Sequence, residues 1–329
     1  MKRADIFRVW GRILGGYIPF LSIEITKECP LQCPGCYAYT TDHVGPMTSL
    51  RQLSDFRGDN LVSAVIAVVR HYRPVHLSII GGEPLVRFRE LCELLPKLDR
   101  MGIETQLVTS AVRAIPEEWN SIGSLHLVVS IDGLPPEHDR RRAPATYDRI
   151  LKNLGNHRVA IHCTVTRQML NRPDYLAKFS RFWSAKSQVH KIWFSIYTPQ
   201  EGDRSPERLT PQDRQRLLQD LSAVAAEFPK VDLPRIVIDG YRNPPRSPAE
   251  CTFARLTTCL SADLKTIVGP CQFGGRPVCS ECGCLASAGM HAVAGWKLGG
   301  ILPLSSIVNA SIRVGGRNGK PRRTIAAEA

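Results

Sequence analysis

Between residue 20 and about residue 230 the hydrophobic pattern switches repeatedly between two periods. Short runs dense in apolar and β-branched residues, at 20–26, 75–80, 103–109, 125–131, 159–165 and 191–196, read as strands. Their nearly unbroken apolar character predicts strands covered on both faces, as in a parallel sheet. Between them apolar residues recur at helical spacing: Leu61, Val65, Val68 and Tyr72, then Phe88, Leu91, Leu95 and Leu98, then Tyr147, Ile150, Leu151 and Leu154. A last helix is expected to start at Thr210 as N-cap with Pro211 behind it, and to bury Leu217, Leu221, Val224 and Phe228. Six strand-helix units are too few for an eight-stranded barrel, so the expected fold is α/β, an open partial (β/α)6 barrel.

After Phe228 the pattern gives way to Pro234, Pro244, Pro245 and Pro248, and then to a cysteine-rich stretch at 251–284. Four regions are therefore expected: an amphipathic segment at 1–19, the barrel at 20–233, a Cys-rich domain at 234–310 and a basic tail at 311–329. No apolar run reaches the roughly 18 residues of a membrane span. The first and last twenty residues carry +3 and +4, more than half of the net charge of +13, and read as solvated arms that could touch an anionic surface. They lack interleaved aromatics that would stack bases, which disfavours nucleic acid as a partner. Arg8 and Arg12 interrupt the only early apolar stretch, so no secretory signal is read and a cytoplasmic location is expected, with peripheral contact at the inner membrane face as a variant. In that compartment the eleven cysteines are expected to bind metal rather than pair, except Cys92 and Cys163, which sit in apolar periodic segments and read as core residues.

Cys29, Cys33 and Cys36 are separated by three and then two residues, in a loop expected at the carboxyl end of the first strand. Three thiolates can ligate three irons of a cubane and leave the fourth open to a cofactor, whereas a structural cluster is closed by four cysteines. A zinc site would need a fourth ligand, for which His43 is the nearby candidate. Gly81-Gly82-Glu83-Pro84 follows the second strand, where paired glycines allow close backbone approach. Thr109-Ser110 and Ser130-Ile131-Asp132-Gly133 end the third and fourth strands, and Arg140, Arg141 and Arg142 follow as a loop read as a solvated face or an anion contact.

These two motifs, in this order, resemble those of the radical S-adenosylmethionine superfamily over residues 20 to about 196. The resemblance implies a [4Fe-4S] cluster on Cys29, Cys33 and Cys36 whose open iron chelates S-adenosylmethionine. It further implies cofactor contacts from Gly81, Gly82, Glu83 and Pro84, and from hydroxyls at Thr109 and Ser130. The superfamily has an aromatic residue before the third cysteine where this chain has Gly35, and Tyr37 is expected to pack against the adenine instead.

Cys251, Cys259, Cys271, Cys279, Cys282 and Cys284 lie downstream of the barrel. They resemble the auxiliary-cluster domains, of SPASM or twitch type, that follow many such barrels. The resemblance implies a second [4Fe-4S] cluster, with Cys259, Cys271, Cys279 and Cys282 as expected ligands and Cys251 and Cys284 as alternates; a zinc ribbon is the competing reading. The activity so implied is reductive cleavage of S-adenosylmethionine for radical chemistry on a peptide-derived substrate, or alternatively on a lipid, isoprenoid or other small molecule. An external one-electron reductant of flavodoxin or ferredoxin type is implied as partner. The reading from another class is a non-catalytic electron carrier or cluster scaffold.

Overall fold

All six apolar runs become strands in the computed structural model, which describes residues 3–298 and 301–317. They are β1 (Phe20–Glu24), β2 (His76–Ile80), β3 (Glu104–Thr109), β4 (Leu125–Ser130), β5 (Val159–Val165) and β6 (Val189–Ile196). A seventh strand, β7 (Thr257–Leu260), comes from the Cys-rich stretch and pairs with β1. The sheet is parallel throughout in the order β6-β5-β4-β3-β2-β1-β7, the α/β sheet of a partial barrel. The boundary expected near Pro234 therefore does not separate the sheet from the Cys-rich region, because the chain returns to the sheet edge after it.

The two faces of the sheet differ, which corrects the expectation of apolar cover on both. Leu21, Leu77, Leu107, Val129, Ile161 and Phe194 are buried on one face. There the helices Gly58–Tyr72, Phe88–Arg100, Tyr147–Asn153, Tyr175–Ser184 and Pro211–Glu227 press their apolar sides into a shared core. Each fully buried aliphatic side chain contributes about 1.5–3 kcal/mol. In the strand register, Ser22, Ser78, Gln106, Ser130, His162 and Ser195 share the other face. These polar positions, interspersed with Val108, Val128 and Ala160, line the interior of the partial barrel, its chamber. It lies beneath the carboxyl ends of the strands, where βα barrels place their chemistry.

The C-terminal segment spans this chamber's two edges. At one edge β7 lies beside β1; at the other, Ile196 of β6 donates its N–H to the Gly283 carbonyl at 2.8 Å. Gly283 sits so close that a Cβ there would fall 1.9 Å from the Ile196 carbonyl oxygen. The cysteine-rich stretch thus runs from strand edge to strand edge.

Cys163 is buried in the core and Cys92 packs against it, as expected, and all eleven cysteines are free thiols. The helix Arg3–Leu14 exposes Ile6, Phe7, Trp10 and Leu14, and Trp10 Nε1 donates to Ser311 Oγ of the helix Leu304–Arg317 at 3.2 Å. Among the described residues no helix is long and apolar enough to cross a membrane. Most of the basic tail, beyond Arg317, lies outside the described residues.

Candidate functional site

The loop after β1 carries Cys29, Cys33 and Cys36, each partly exposed. Burial pushes the Cys29 thiol up to about 11, and the neighbouring Glu83, Cys33 and Cys36 add to the rise. Burial also raises Cys33 and Cys36, whereas the Arg142 guanidinium pulls both back. Three mutually interacting thiols beside one cation form a donor set suited to an anionic cluster, since ligation requires their thiolate forms. Among the described residues no three His, Cys, Asp or Glu side chains surround a single point. A cubane does not require that, because each thiolate takes a different iron.

Gly35 explains its own departure from the superfamily pattern. Its φ of +67° is the left-handed region, and a Cβ there would fall 2.7 Å from Glu207 Oε2 and 3.3 Å from the Tyr197 ring. An aromatic side chain has no room at this position. Tyr37 is engaged elsewhere: its ring meets Phe273 edge-on at 5.2 Å and His43 at 5.7 Å, facing the C-terminal segment. The Tyr37 ring thus packs on the side of the second cysteine group. His43 likewise is not a free ligand, because both ring nitrogens are occupied by Glu24 and the Phe273 carbonyl.

The glycines of the second motif make a close packing contact of their own. A Cβ on Gly81 would lie 2.4 Å from Glu24 Cα, and one on Gly82 would lie 2.0 Å from the Glu28 carbonyl oxygen. Their missing side chains let the β2 loop lie directly on the β1 loop, where Glu83 donates its N–H to the Glu28 carbonyl at 2.8 Å. The Glu83 carboxylate points inward and accepts four hydrogen bonds. Oε1 accepts from Leu85 N at 3.0 Å and from Thr109 Oγ1; Oε2 accepts from Ser110 N at 2.8 Å and Ser110 Oγ at 2.6 Å. Thr109 Oγ1 also accepts from Ala111 N at 3.0 Å. Thr109 and the Glu83 side chain, both expected to touch cofactor, are therefore occupied in tying the loops after β2 and β3 together. Ser130 faces the chamber, opposite His162 in the register.

The Arg140–Arg142 stretch divides. Arg140 is exposed, but Arg141 and Arg142 both donate Nε–H to Asp132 Oδ2, at 3.0 and 2.8 Å. Arg141 also forms a two-pronged pair with Glu207. Burial alone would raise the Asp132 carboxyl; the charges of Arg142 and then Arg141 outweigh it and hold it well below the usual carboxylate range. Among the described residues the two terminal nitrogens of Arg142 have no hydrogen-bond partner, and they lie close enough to Cys33 and Cys36 to lower both thiols.

The second cysteine group surrounds a small cavity of about 20 Å3 lined by Cys251, Cys271, Cys279, Cys282 and Cys284. Cys259 is not among its walls. It sits within β7, opposite Ser22 of β1, and is the thiol that Cys271 feels most. Its thiol is pushed far up, by burial first and then by Glu24. Burial also raises Cys271 and Cys282 and lifts Cys279 to about 11, and each of these three feels Cys251 as a further neighbour. Cys251 Sγ lies 3.2 Å from Ser287 Oγ, and Cys284 Sγ accepts from Gln272 Nε2 at 3.4 Å.

A parallel sheet with a three-thiol loop on its first strand, a glycine turn on its second and a further thiol-lined cavity is an α/β fold with two thiol groups suited to iron-sulfur ligation. Residues 23–172, a little under half of the chain, match the family model described as the Radical SAM superfamily. Two curated relatives are PqqA peptide cyclases. That of Rhizobium meliloti strain 1021 is 33% identical over 117 residues, 35% of this chain and 29% of the relative. That of Bradyrhizobium diazoefficiens is 34% identical over 117 residues, 34% of this chain and 28% of the relative. The chain thus spans less than a third of the length of these relatives. The crystal structure of Streptococcus suis SuiB superposes with a TM-score of 0.55 at 14% identity, over 82% of this chain and 64% of that one, and shares the fold.

Proposed function

We propose that this protein reductively cleaves S-adenosylmethionine at a [4Fe-4S] cluster on Cys29, Cys33 and Cys36 and directs the resulting radical at a peptide-derived substrate. The observation that carries the reading is the joining of the three-thiol loop to the Gly81–Gly82 turn through the Glu83 N–H and Glu28 carbonyl, at 2.8 Å. When bound, the cluster and cofactor supply one-electron cleavage of a carbon-sulfur bond, giving methionine and a 5′-deoxyadenosyl radical that takes hydrogen from carbon or adds to a double bond.

The chain's own residues bind, orient and exclude water. The three thiols hold the cluster at the mouth of the chamber. The Gly81–Gly82 turn presents backbone beside the thiol loop, and Glu83 with Thr109 and Ser110 keeps that turn in place. Arg142, its Nε fixed by Asp132, turns its free nitrogens toward a carboxylate at this site. Ser130 and the neighbouring hydroxyls of the polar chamber suit a ribose. A second [4Fe-4S] cluster is held by Cys271, Cys279 and Cys282, with Cys251 rather than Cys259 as fourth ligand, because Cys251 lines the cavity with all three. The likeness to PqqA peptide cyclases supports a peptide-derived substrate. A lipid substrate is the second reading, favoured by the outward-facing Phe7, Trp10 and Leu14. Reduction requires an external one-electron donor of flavodoxin or ferredoxin type.

Titration of the anaerobically reconstituted protein with S-adenosylmethionine, followed by electron paramagnetic resonance, tests the site. A shift of the cluster signal that disappears in the triple Cys29, Cys33 and Cys36→Ala variant is expected. An unchanged signal would favour an electron carrier or scaffold.

A further inference from the structure

Between the two cysteine groups lies a buried polar cluster to which the proposed chemistry assigns no part. Glu24 ends β1, His43 follows the first cysteine loop, and Ser261 and Phe273 belong to the C-terminal segment. His43 Nε2 lies 2.6 Å from Glu24 Oε1, Ser261 Oγ donates to Glu24 Oε2 at 2.6 Å, and His43 Nδ1 lies 3.1 Å from the Phe273 carbonyl. A carbonyl only accepts, so Nδ1 carries a hydrogen, and one further proton lies between Nε2 and Oε1. Whichever atom holds that proton, the pair is neutral overall. That balance suits its setting, since the His43 side chain has no exposed surface and Glu24 is 2% exposed.

The backbone is shaped around this cluster from both sides. Gly274 has a φ of +63°, and a Cβ there would fall 1.9 Å from the His43 carbonyl oxygen and 2.6 Å from His43 Nδ1. On the opposite side, Gly81 rests on Glu24 itself, where a Cβ would fall 2.4 Å from Glu24 Cα. The residue gripped by the C-terminal segment is therefore also the floor under the glycine turn. Tyr37, one residue after Cys36, packs between His43 and Phe273.

We propose that Glu24, His43 and Ser261 are positioning residues, a clamp through which the C-terminal segment sets the geometry of the cysteine loop and the Gly81–Gly82 turn. This rests on the reading of that loop as the S-adenosylmethionine site. The clamp acts through hydrogen-bond geometry and not through charge. Glu24→Gln can reproduce every bond: its amide donates to a neutral His43 Nε2, its oxygen accepts from Ser261, and Nδ1 still donates to Phe273. Ser261→Ala and Gly274→Ala each break the clamp from the C-terminal side without touching a residue of the first site.

The test compares iron content, S-adenosylmethionine dissociation constant and the resonance spectrum of the reduced first cluster in reconstituted wild type and these three variants. Ser261→Ala and Gly274→Ala should keep wild-type iron but bind S-adenosylmethionine about ten- to a hundredfold more weakly, as expected for a small displacement of a positioned site, with an altered spectrum. Glu24→Gln should match wild type. Wild-type affinity and spectrum in both disrupting variants would overturn the proposal, as would a Glu24→Gln protein as impaired as they are. Loss of iron from Ser261→Ala in step with affinity would also overturn it, because general weakening of the fold then accounts for both. A wild-type protein that binds no S-adenosylmethionine would fail earlier, on the reading of the site itself.

Discussion

Replacing Glu83 by Gln should destabilise the protein by about 2–4 kcal/mol, although the side chain keeps its shape. Each carboxylate oxygen of Glu83 accepts two hydrogen bonds, one from a backbone N–H, of Leu85 or Ser110, and one from a hydroxyl, of Thr109 or Ser110. In Gln one of these oxygens becomes an NH2 group. The facing hydroxyl can rotate to accept from it, but the backbone N–H cannot, so one buried donor is left without a partner. An unsatisfied buried donor costs about 1–3 kcal/mol, and the remaining bonds lose the added strength of a charged acceptor. Against a total stability of about 5–15 kcal/mol the change is large. Equilibrium urea denaturation of wild type and Glu83→Gln measures it directly. A midpoint unchanged at constant slope would show that this carboxylate does not hold the loops after β2 and β3 together.

Fully reconstituted protein should contain about eight irons, and replacing Cys29, Cys33 and Cys36 together by Ala should remove about four, as elemental analysis reports. Cys251→Ala should lose the second cluster whereas Cys259→Ala keeps it; the reverse result would restore Cys259 to the ligand set. Cys271→Ala should retain the first cluster and some uncoupled cleavage to 5′-deoxyadenosine but lose substrate turnover, and full turnover in a folded variant would refute an auxiliary cluster there. Burial lowers His162 to about 4, so between roughly pH 6.5 and 4 the unfolded chain binds a proton that the folded one does not. Stability should therefore fall as pH drops through that window, and less steeply in His162→Gln; identical slopes would contradict the assignment.

The six barrel strands were legible because apolar runs of this length between periodic helices have few other solutions. Two things hid β7. It is only four residues long, and its Cys259 carried the ligand reading that the stretch invited. The polar chamber was hidden by the same runs, in which single Ser, Gln or His positions look incidental until the register aligns Ser22, Ser78 and Ser130 on one face. Both cysteine groups were readable from spacing, but which thiols meet depends on where the chain folds back, and Cys251 reaches the cavity although β7 intervenes between it and Cys271. The clamp of Glu24, His43 and Ser261 had no local signal, since its members are neighbours only across the fold. Arg141 and Arg142 looked like a solvated run because nothing local says that Asp132 and Glu207 will turn to meet them.

The central claim is that the loop of Cys29, Cys33 and Cys36 supports reductive cleavage of S-adenosylmethionine. Chromatography of the products formed when anaerobically reconstituted protein is reduced by a strong one-electron donor with S-adenosylmethionine tests it most directly. Equal amounts of 5′-deoxyadenosine and methionine are expected, and neither from Cys29→Ala. Adenosylhomocysteine as the main product, or no cleavage by a protein with its full complement of iron, would contradict the claim.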